Sequence, residues 1–443
     1  MKGVNMYTML SSALLLSHGI IAAPTTTTTG LIARQPRQTG LNLGSKVTSI
    51  ELDNIEITRT QPFTGLHVWD TSGGTGYDFR VAFCEVDSES IVNDAGNYDW
   101  SWMDKKIEAI ADLGRHAIIR IRWNAPSGVH LPSKYPRVFH DYKGETVASP
   151  DWQNTELRTF VKEFVTKFAA RYDTDLRVLY VQVGFGHYGE FHMAGCDFQG
   201  DEQSRAFPPK DFALEYLDHA QAVFKNTPLG VSIDSGNADA PDYGYLAHEN
   251  RKDFGLFDDT FMSNIDTPAM NAKAWEQLNY EDNARQNVMG GAFGYDEPSI
   301  EARYLDVSRT DPDSGEPYNF DTAARRYWIT YMSVSGVWDN LNQDDINRDS
   351  AMLGYKFYVT AYGLGGGYTQ VIVQNTGTAP IYFSTPLKVS HGSEFVTVGD
   401  LQGIYPGEEK LYTHEGELDK AATFEAGCEK CFADHPIDIG IMM

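Results

Sequence analysis

The sequence predicts an α/β chain, a (β/α)8 TIM barrel followed by a small C-terminal β-sandwich. Three observations predict it. From about residue 63 to 342, short apolar strands alternate with amphipathic helical stretches, the order that builds a parallel sheet. The strand interiors are continuous apolar runs, as burial on both faces of a parallel sheet requires. After Arg348 the texture changes to period-2 alternation punctuated by Gly, Asn and Pro, with no helical stripe, which is how a β-sandwich reads.

The elements follow in order. Residues 1–23 have one early lysine, Lys2, an apolar run from about Met9 to Ile21, and the small pair Ala22 and Ala23. That layout predicts a secretory signal peptide, hence a secreted protein. The run is too short to span a bilayer, and no later stretch is long enough. Residues 24–45, with "PTTTTTG" and "LIARQPRQTG", predict a flexible lead-in. The barrel is assigned to 46–345 and the sandwich to 346–443.

Within the barrel, "TGLHVW" and "FRVAFCEV" are the first two strands, and "YDWSWMDKKIEAIADLG" is a helix stopped by Gly114. "RHAIIRIRWN" is strand three. In "TELRTFVKEFVTKFAARY", Leu157, Phe160, Val161, Phe164, Val165 and Phe168 form a 3.6-residue stripe. "LRVLYVQVGFG" is strand four, followed by the helix "DFALEYLDHAQAVFKN" and strand five, "LGVSIDSGN". "FDDTFMSNI" predicts strand six, "MNAKAWEQLN" a helix and "QNVMGGAFGYDE" strand seven. "DTAARRYWITYMSVSG" reads as one helix running into "VWDN", strand eight. The span suits a closed barrel of roughly 250 residues. An open doubly wound sheet would carry a phosphate-binding glycine loop opening a helix; "DTSGGTGYDF" is glycine-rich but opens none.

The charge narrows the partners. With 61 acidic against 36 basic residues the chain carries a formal −25, a field that repels nucleic acid and anionic membrane surfaces. Neither nucleic acid nor membrane insertion is expected. Four cysteines, Cys84, Cys196, Cys428 and Cys431, predict one or two structural disulfides in an exported chain. Cys428-x-x-Cys431 lacks the companion ligands of a zinc ribbon, no H-E-x-x-H is present, and no metal or cofactor is expected.

In a TIM barrel, function gathers where strands end. Those ends place His67 and Trp69 on strand one, and Arg120, Arg122, Trp123 and Asn124 on strand three. Strand four brings His187, Tyr188, Glu190 and His192; strands five and six bring Asp234, Asn237, Asn264 and Asp266. Strand seven brings Tyr295, Asp296 and Glu297, and strand eight Trp338, Asp339 and Asn340. Aromatic rings for sugar faces, with carboxylates and amides for hydroxyls, predict a polysaccharide or oligosaccharide substrate. Glycoside hydrolysis commonly uses two carboxyl groups, one kept protonated. Glu190, among Phe185, Tyr188 and Phe191, is the candidate acid/base. Its partner should lie three βα units on, about 94 residues at roughly 31 per unit; Asp296 and Glu297 lie 106 and 107 residues on. Arg122, Trp123, Asn124, His187, His192, Asp234, Asp266, Tyr295 and Trp338 are the candidate substrate-binding residues.

The strand-four glutamate with a strand-seven partner resembles the clan A glycoside hydrolases. More closely, "GRHAIIRIRWN", "VQVGFGHYGEFH" and "LGYKFYVT…VIVQNTGTAPIY" resemble a poorly characterised family of secreted bacterial proteins pairing a glycosidase-like barrel with a β-sandwich of unknown function. The resemblance covers about residues 60 to 400, and its G-x-x-G-E-x-H stretch is the most specific part. It implies a secreted glycoside hydrolase. Two departures stand out: Gly189 occupies the place before Glu190 where clan A enzymes have Asn, and Ala292 follows Gly290 and Gly291 where a carboxylate is expected. The rival readings are a non-catalytic glycan-binding protein on the same scaffold, and a polysaccharide lyase acting on a uronate through a histidine or tyrosine base.

Overall fold

The structure, a computed structural model, describes residues 41–72, 76–237, 242–246, 253–262, 271–294, 319–334 and 341–443. Eight strands close into a barrel: Gly65–Trp69, Val81–Asp87, His116–Arg122, Val178–Val183, Leu229–Ser232, Gly255–Phe261, Met289–Phe293 and Tyr331–Ser333. They run in sequence order, each parallel to the next, and the eighth pairs with the first through Tyr331 opposite Gly65. The predicted (β/α)8 barrel is present. Apolar side chains alternate between its outer face and its bore. Ala117, Ile119 and Ile121 pack outward under the helices, while Ile118 joins an inward cluster with Phe83 and Tyr331.

The helix Thr155–Tyr172 forms as its stripe predicts. All six stripe residues are buried, and Asn154 accepts a hydrogen bond from the Leu157 amide at 2.8 Å to cap it. Burying each such side chain contributes about 1.5–3 kcal/mol.

The last barrel unit departs from the sequence expectation. The helix expected across "DTAARRYWITYMSVSG" stops at Tyr327, because Trp328 turns left-handed (φ 54) and β-branched Ile329 and Thr330 follow. Strand eight is Tyr331–Ser333, inside the expected helix; "VWDN" lies outside the described residues. The barrel also extends past residue 345. Helix Gln343–Met352 packs against strand one, where the Leu66 amide donates to Ser350 Oγ at 3.0 Å. At the other end, Thr48–Ser49 pairs antiparallel with Phe357–Gly365, and Ile55 bridges Ile441. The start of the segment assigned to the barrel therefore belongs to the C-terminal sheets.

Those sheets face one another and are antiparallel apart from Ile439–Ile441, which runs parallel to Phe357–Gly365. One holds Phe357–Gly365, Tyr368–Asn375 and Glu409–Glu415, with Thr48–Ser49 and Ile439–Ile441 along its edge; the other holds Glu394–Asp400, Pro386–His391 and Phe424–Ala426. Their shared core of Val359, Tyr362, Val371, Leu387 and Val389 continues into Ile118, Leu179, Tyr180 and Val288 at the strand starts. His116 at the start of strand three stacks on Phe432 and bonds the Lys430 carbonyl at 2.8 Å. The sandwich thus covers the N-terminal end of the barrel, leaving the mouth at the C-terminal ends of the strands. Cys428 and Cys431 are disulfide-bonded, whereas Cys84 and Cys196 are free thiols.

A hairpin that the sequence expectation omits stands at that mouth. Arg137–Tyr142 and Glu145–Pro150 pair antiparallel, joined by Lys143 and Gly144, both at positive φ (54° and 87°). That is a two-residue turn twisted as hairpins prefer. Cys196–Asp197 adds a third strand.

Candidate active site at the barrel mouth

Glu190 reaches the bore through a tight fold-back directly after strand four. The Gly186 amide donates to the Glu190 carbonyl (2.8 Å), the His187 amide to the His192 carbonyl (3.0 Å), and the Glu190 amide to the His187 carbonyl (3.0 Å). A Cβ on Gly184 would stand 2.0 Å from the Gly189 carbonyl oxygen, and one on Gly186 2.1 Å from that of His192. Gly186→Ala is therefore expected to cost about 2 kcal/mol or more, read as a lowered Tm, with loss of any activity that depends on Glu190. Gly189 sits at φ +77, and a Cβ there would meet Arg120 Cδ at 3.0 Å. Glycine here has a local cause: any side chain at residue 189 would crowd the Arg120 side chain.

Beneath Glu190 the inward residues form a bonded layer. Arg120 donates to Asp259 twice (2.5 and 3.1 Å) and to Gln182 at 2.7 Å, and lies between the rings of Phe83 and Phe257, 4.8 and 4.2 Å away. Gln182 in turn donates to Tyr331 Oη at 2.6 Å. Gly290 makes this possible, since a Cβ there would fall 2.4 Å from the Tyr331 ring. Towards the rim, Arg122 is held by Glu85 (2.7 Å) and Asp87 (2.9 and 3.1 Å).

Glu190 is 8% exposed. Its ionisable neighbours include His192, whose Nε2 lies 3.7 Å from Oε2, and Asp234, with one ligand-type atom of each of the three within 4.8 Å of the others. Asp234 accepts from Ser232 Oγ at 2.8 Å. Burial, followed by the negative charge of Asp259, pushes the Glu190 carboxyl up to about 7. Burial lowers the proton affinity of His192, but the Glu190 carboxyl 3.7 Å away outweighs it and draws the ring up to about 9. The Ala194 amide donates to His192 Nδ1 at 3.1 Å, which requires a lone pair there and resists that second proton. The geometry therefore favours a neutral ring with its proton on Nε2, facing a glutamic acid of raised pKa.

By donor type, two trios could hold a divalent cation: Glu190, His192 and Asp234, and Asp87, Glu89 and His130. In the first, the Ala194 bond leaves the proton on the nitrogen that would have to bind metal. In the second, two bonds from Arg122 already offset the charge of Asp87, which weakens its pull on a cation.

The other candidates fall as follows. Trp123, expected as a stacking platform, is fully buried outside the bore, edge-on to Phe164 and Tyr216, so it offers a sugar no face. Asn124 is buried, donating to Ser149 Oγ at 3.0 Å. His187 is buried beside Cys196 Sγ (3.7 Å) and edge-on to Tyr142, and burial pushes it down to about 3. Arg122 is committed to carboxylates rather than held out as a substrate anchor. Asp266, Tyr295, Asp296, Glu297 and Trp338 lie outside the described residues. The structure adds Glu85, Asp87, Gln182 and Asp259, and sets His67, expected at the end of strand one, in the bore against Phe83 and Tyr331. Asp259 had a sequence signal: in a strand, adjacent Asp258 and Asp259 must face opposite sides, so one of them enters the bore.

The fold and site thus define a (β/α)8 barrel with a C-terminal β-sandwich and an acid–imidazole–acid group at its mouth. No protein-family model matches the chain, and no curated protein matches it. Similar solved structures include a GH36 α-galactosidase from Geobacillus stearothermophilus in complex with stachyose, at 10% identity, covering 81% of this chain and 56% of that one, TM-score 0.33. A bacterial Ig-like domain containing GH10 xylanase from termite gut aligns at 12% identity over 67% of this chain and 75% of that one, TM-score 0.36. A D-psicose 3-epimerase in the presence of D-fructose aligns at 11% identity over 65% and 96%, TM-score 0.33. The chain spans little more than half the length of the α-galactosidase. At these scores the barrel assignment stands on the strand order itself.

Proposed function

We propose that this chain is a secreted glycoside hydrolase acting on a polysaccharide or oligosaccharide, with Glu190 as the general acid/base. The observation that carries the reading is a buried, proton-holding Glu190 at the end of strand four with Asp234 facing it. A closest approach within 4.8 Å between one oxygen of each sits nearer the retaining arrangement, in which the carboxyls stand about 5–5.5 Å apart, than the inverting one at about 6.5–9.5 Å. In this mechanism Glu190 gives its proton to the glycosidic oxygen while an Asp234 oxygen attacks the anomeric carbon. The leaving sugar departs as an alcohol and a glycosyl ester remains on Asp234. Glu190, now ionised and held by the His192 Nε2–H, takes a proton from water as that water attacks the same carbon and releases Asp234.

The test is to assay purified protein against neutral and charged glycans, read by new reducing ends and by ultraviolet absorbance. New reducing ends without absorbance support hydrolysis. An unsaturated, absorbing product would mean a lyase, and binding without turnover a glycan-binding protein. Because the acid must enter protonated, kcat/KM is expected to fall about tenfold per pH unit once pH rises above the Glu190 value of about 7. A profile flat from pH 6 to 9 would remove Glu190 from the acid role.

A further inference from the structure

We infer that the glycan this site takes carries protonated amino groups, as a non-acetylated hexosamine oligosaccharide does. The inference rests on the hydrolase reading for turnover, though not for binding. It starts from the charge of the bore. Among the described residues, Glu85, Asp87, Glu190, Asp234 and Asp259 bring five carboxyl groups to the mouth and the layer below, against the guanidiniums of Arg120 and Arg122. Both arginines are spent on carboxylates. An excess of three negative charges remains with Glu190 ionised and His192 neutral, and it falls by one for each proton that either of them gains. Burial holds His67 and His187 near a pKa of about 3, so neither adds a cation at neutral pH.

A second observation points to a polar ligand in the same bore. His67, on strand one, is 1% exposed with its ring against Phe83 and Tyr331 in the bore, and among the described residues neither ring nitrogen has a partner in good hydrogen-bond geometry. A buried imidazole left unpaired is costly, and a neutral one always keeps one nitrogen able to accept. It suits an incoming N–H or O–H donor. A low-dielectric cleft of one sign focuses its field and concentrates ligands of the opposite sign. A uronate or sulfate would enter against that field and find both arginines already taken.

The experiment compares four oligosaccharides of matched length: glucosamine, N-acetylglucosamine, glucose and glucuronate. The expected result is a kcat/KM for the glucosamine oligomer at least about tenfold above the other three, an advantage that shrinks between roughly 20 and 300 mM salt as screening shortens to below 10 Å. Asp87→Asn, which weakens the hold on Arg122 at the rim, should cut the amine-over-acetyl preference about threefold through KM. Equal or better use of the acetylated, neutral or anionic oligomer overturns the inference. Calorimetric titration of Glu190→Gln protein separates the two claims. Tight, salt-sensitive binding of the glucosamine oligomer with no wild-type turnover sinks hydrolysis and keeps the amine preference. Turnover of another oligomer with no such binding does the reverse.

Discussion

Glu190→Gln is expected to lower glycan turnover by about 10²–10⁴-fold, the range a positioned general acid supplies, while the barrel stays folded and still binds its ligand. The amide keeps the shape and the fold-back of residues 184–192, whose hydrogen bonds are carried by backbone atoms. It loses the one proton that the reaction moves. The same substitution has a stability consequence. A carboxyl whose folded pKa of about 7 exceeds its ordinary 4.5 binds its proton more tightly in the folded chain. Its contribution to stability is complete below about pH 4.5 and is lost as pH climbs through 7. That loss is on the order of 3 kcal/mol at 1.36 kcal/mol per pKa unit. The glutamine variant lacks this slope. Its Tm relative to the wild type should therefore rise between pH 5 and pH 8. A variant that keeps full turnover, or a Tm difference that is constant with pH, would count against a buried, proton-holding Glu190.

Arg120→Met should produce the largest loss of stability, about 3–5 kcal/mol in denaturant unfolding. The guanidinium side chain is 4% exposed and its partner Asp259 19%. Removing it strands a carboxylate in the bore, breaks the link to Gln182, and empties the space between Phe83 and Phe257. Arg120→Lys should recover little, since one ammonium cannot reproduce two parallel bonds to Asp259 and the stacking of a flat cation. Arg120→Met combined with Asp259→Leu should recover much of the loss, because the uncompensated charge is gone. If the double variant is no more stable than the single one, the cost lies in packing rather than in the stranded charge.

The first seven strands were legible because each announces itself within a dozen residues. The stripe from Leu157 to Phe168 and the apolar run from Val178 to Val183 are local patterns that need no partner to be read. Strand eight was misread for an equally local reason. "RRYWITYMS" continues an apolar texture, and only the left-handed turn at Trp328 separates helix from strand. The hairpin at 137–150 carried a usable cue in Lys143 and Gly144, a two-residue turn between alternating segments.

The site divides the same way. From its sequence alone this protein declared an eight-stranded α/β barrel, a trailing β-sandwich, and a glutamate set among histidines where strand four leaves the core. Those features depend on periodicity and on short-range turns. The tertiary structure alone decided what Glu190 meets. Asp234 and Asp259 lie 44 and 69 residues further along, and barrel closure brings them to the same bore. It also decided that Arg122 is spent on Glu85 and Asp87, and that Trp123 faces the helices. The reason is physical: alternation along one strand fixes which side a residue takes, but charge and burial at a barrel mouth are sums over eight strands whose distances exist only once the sheet has closed.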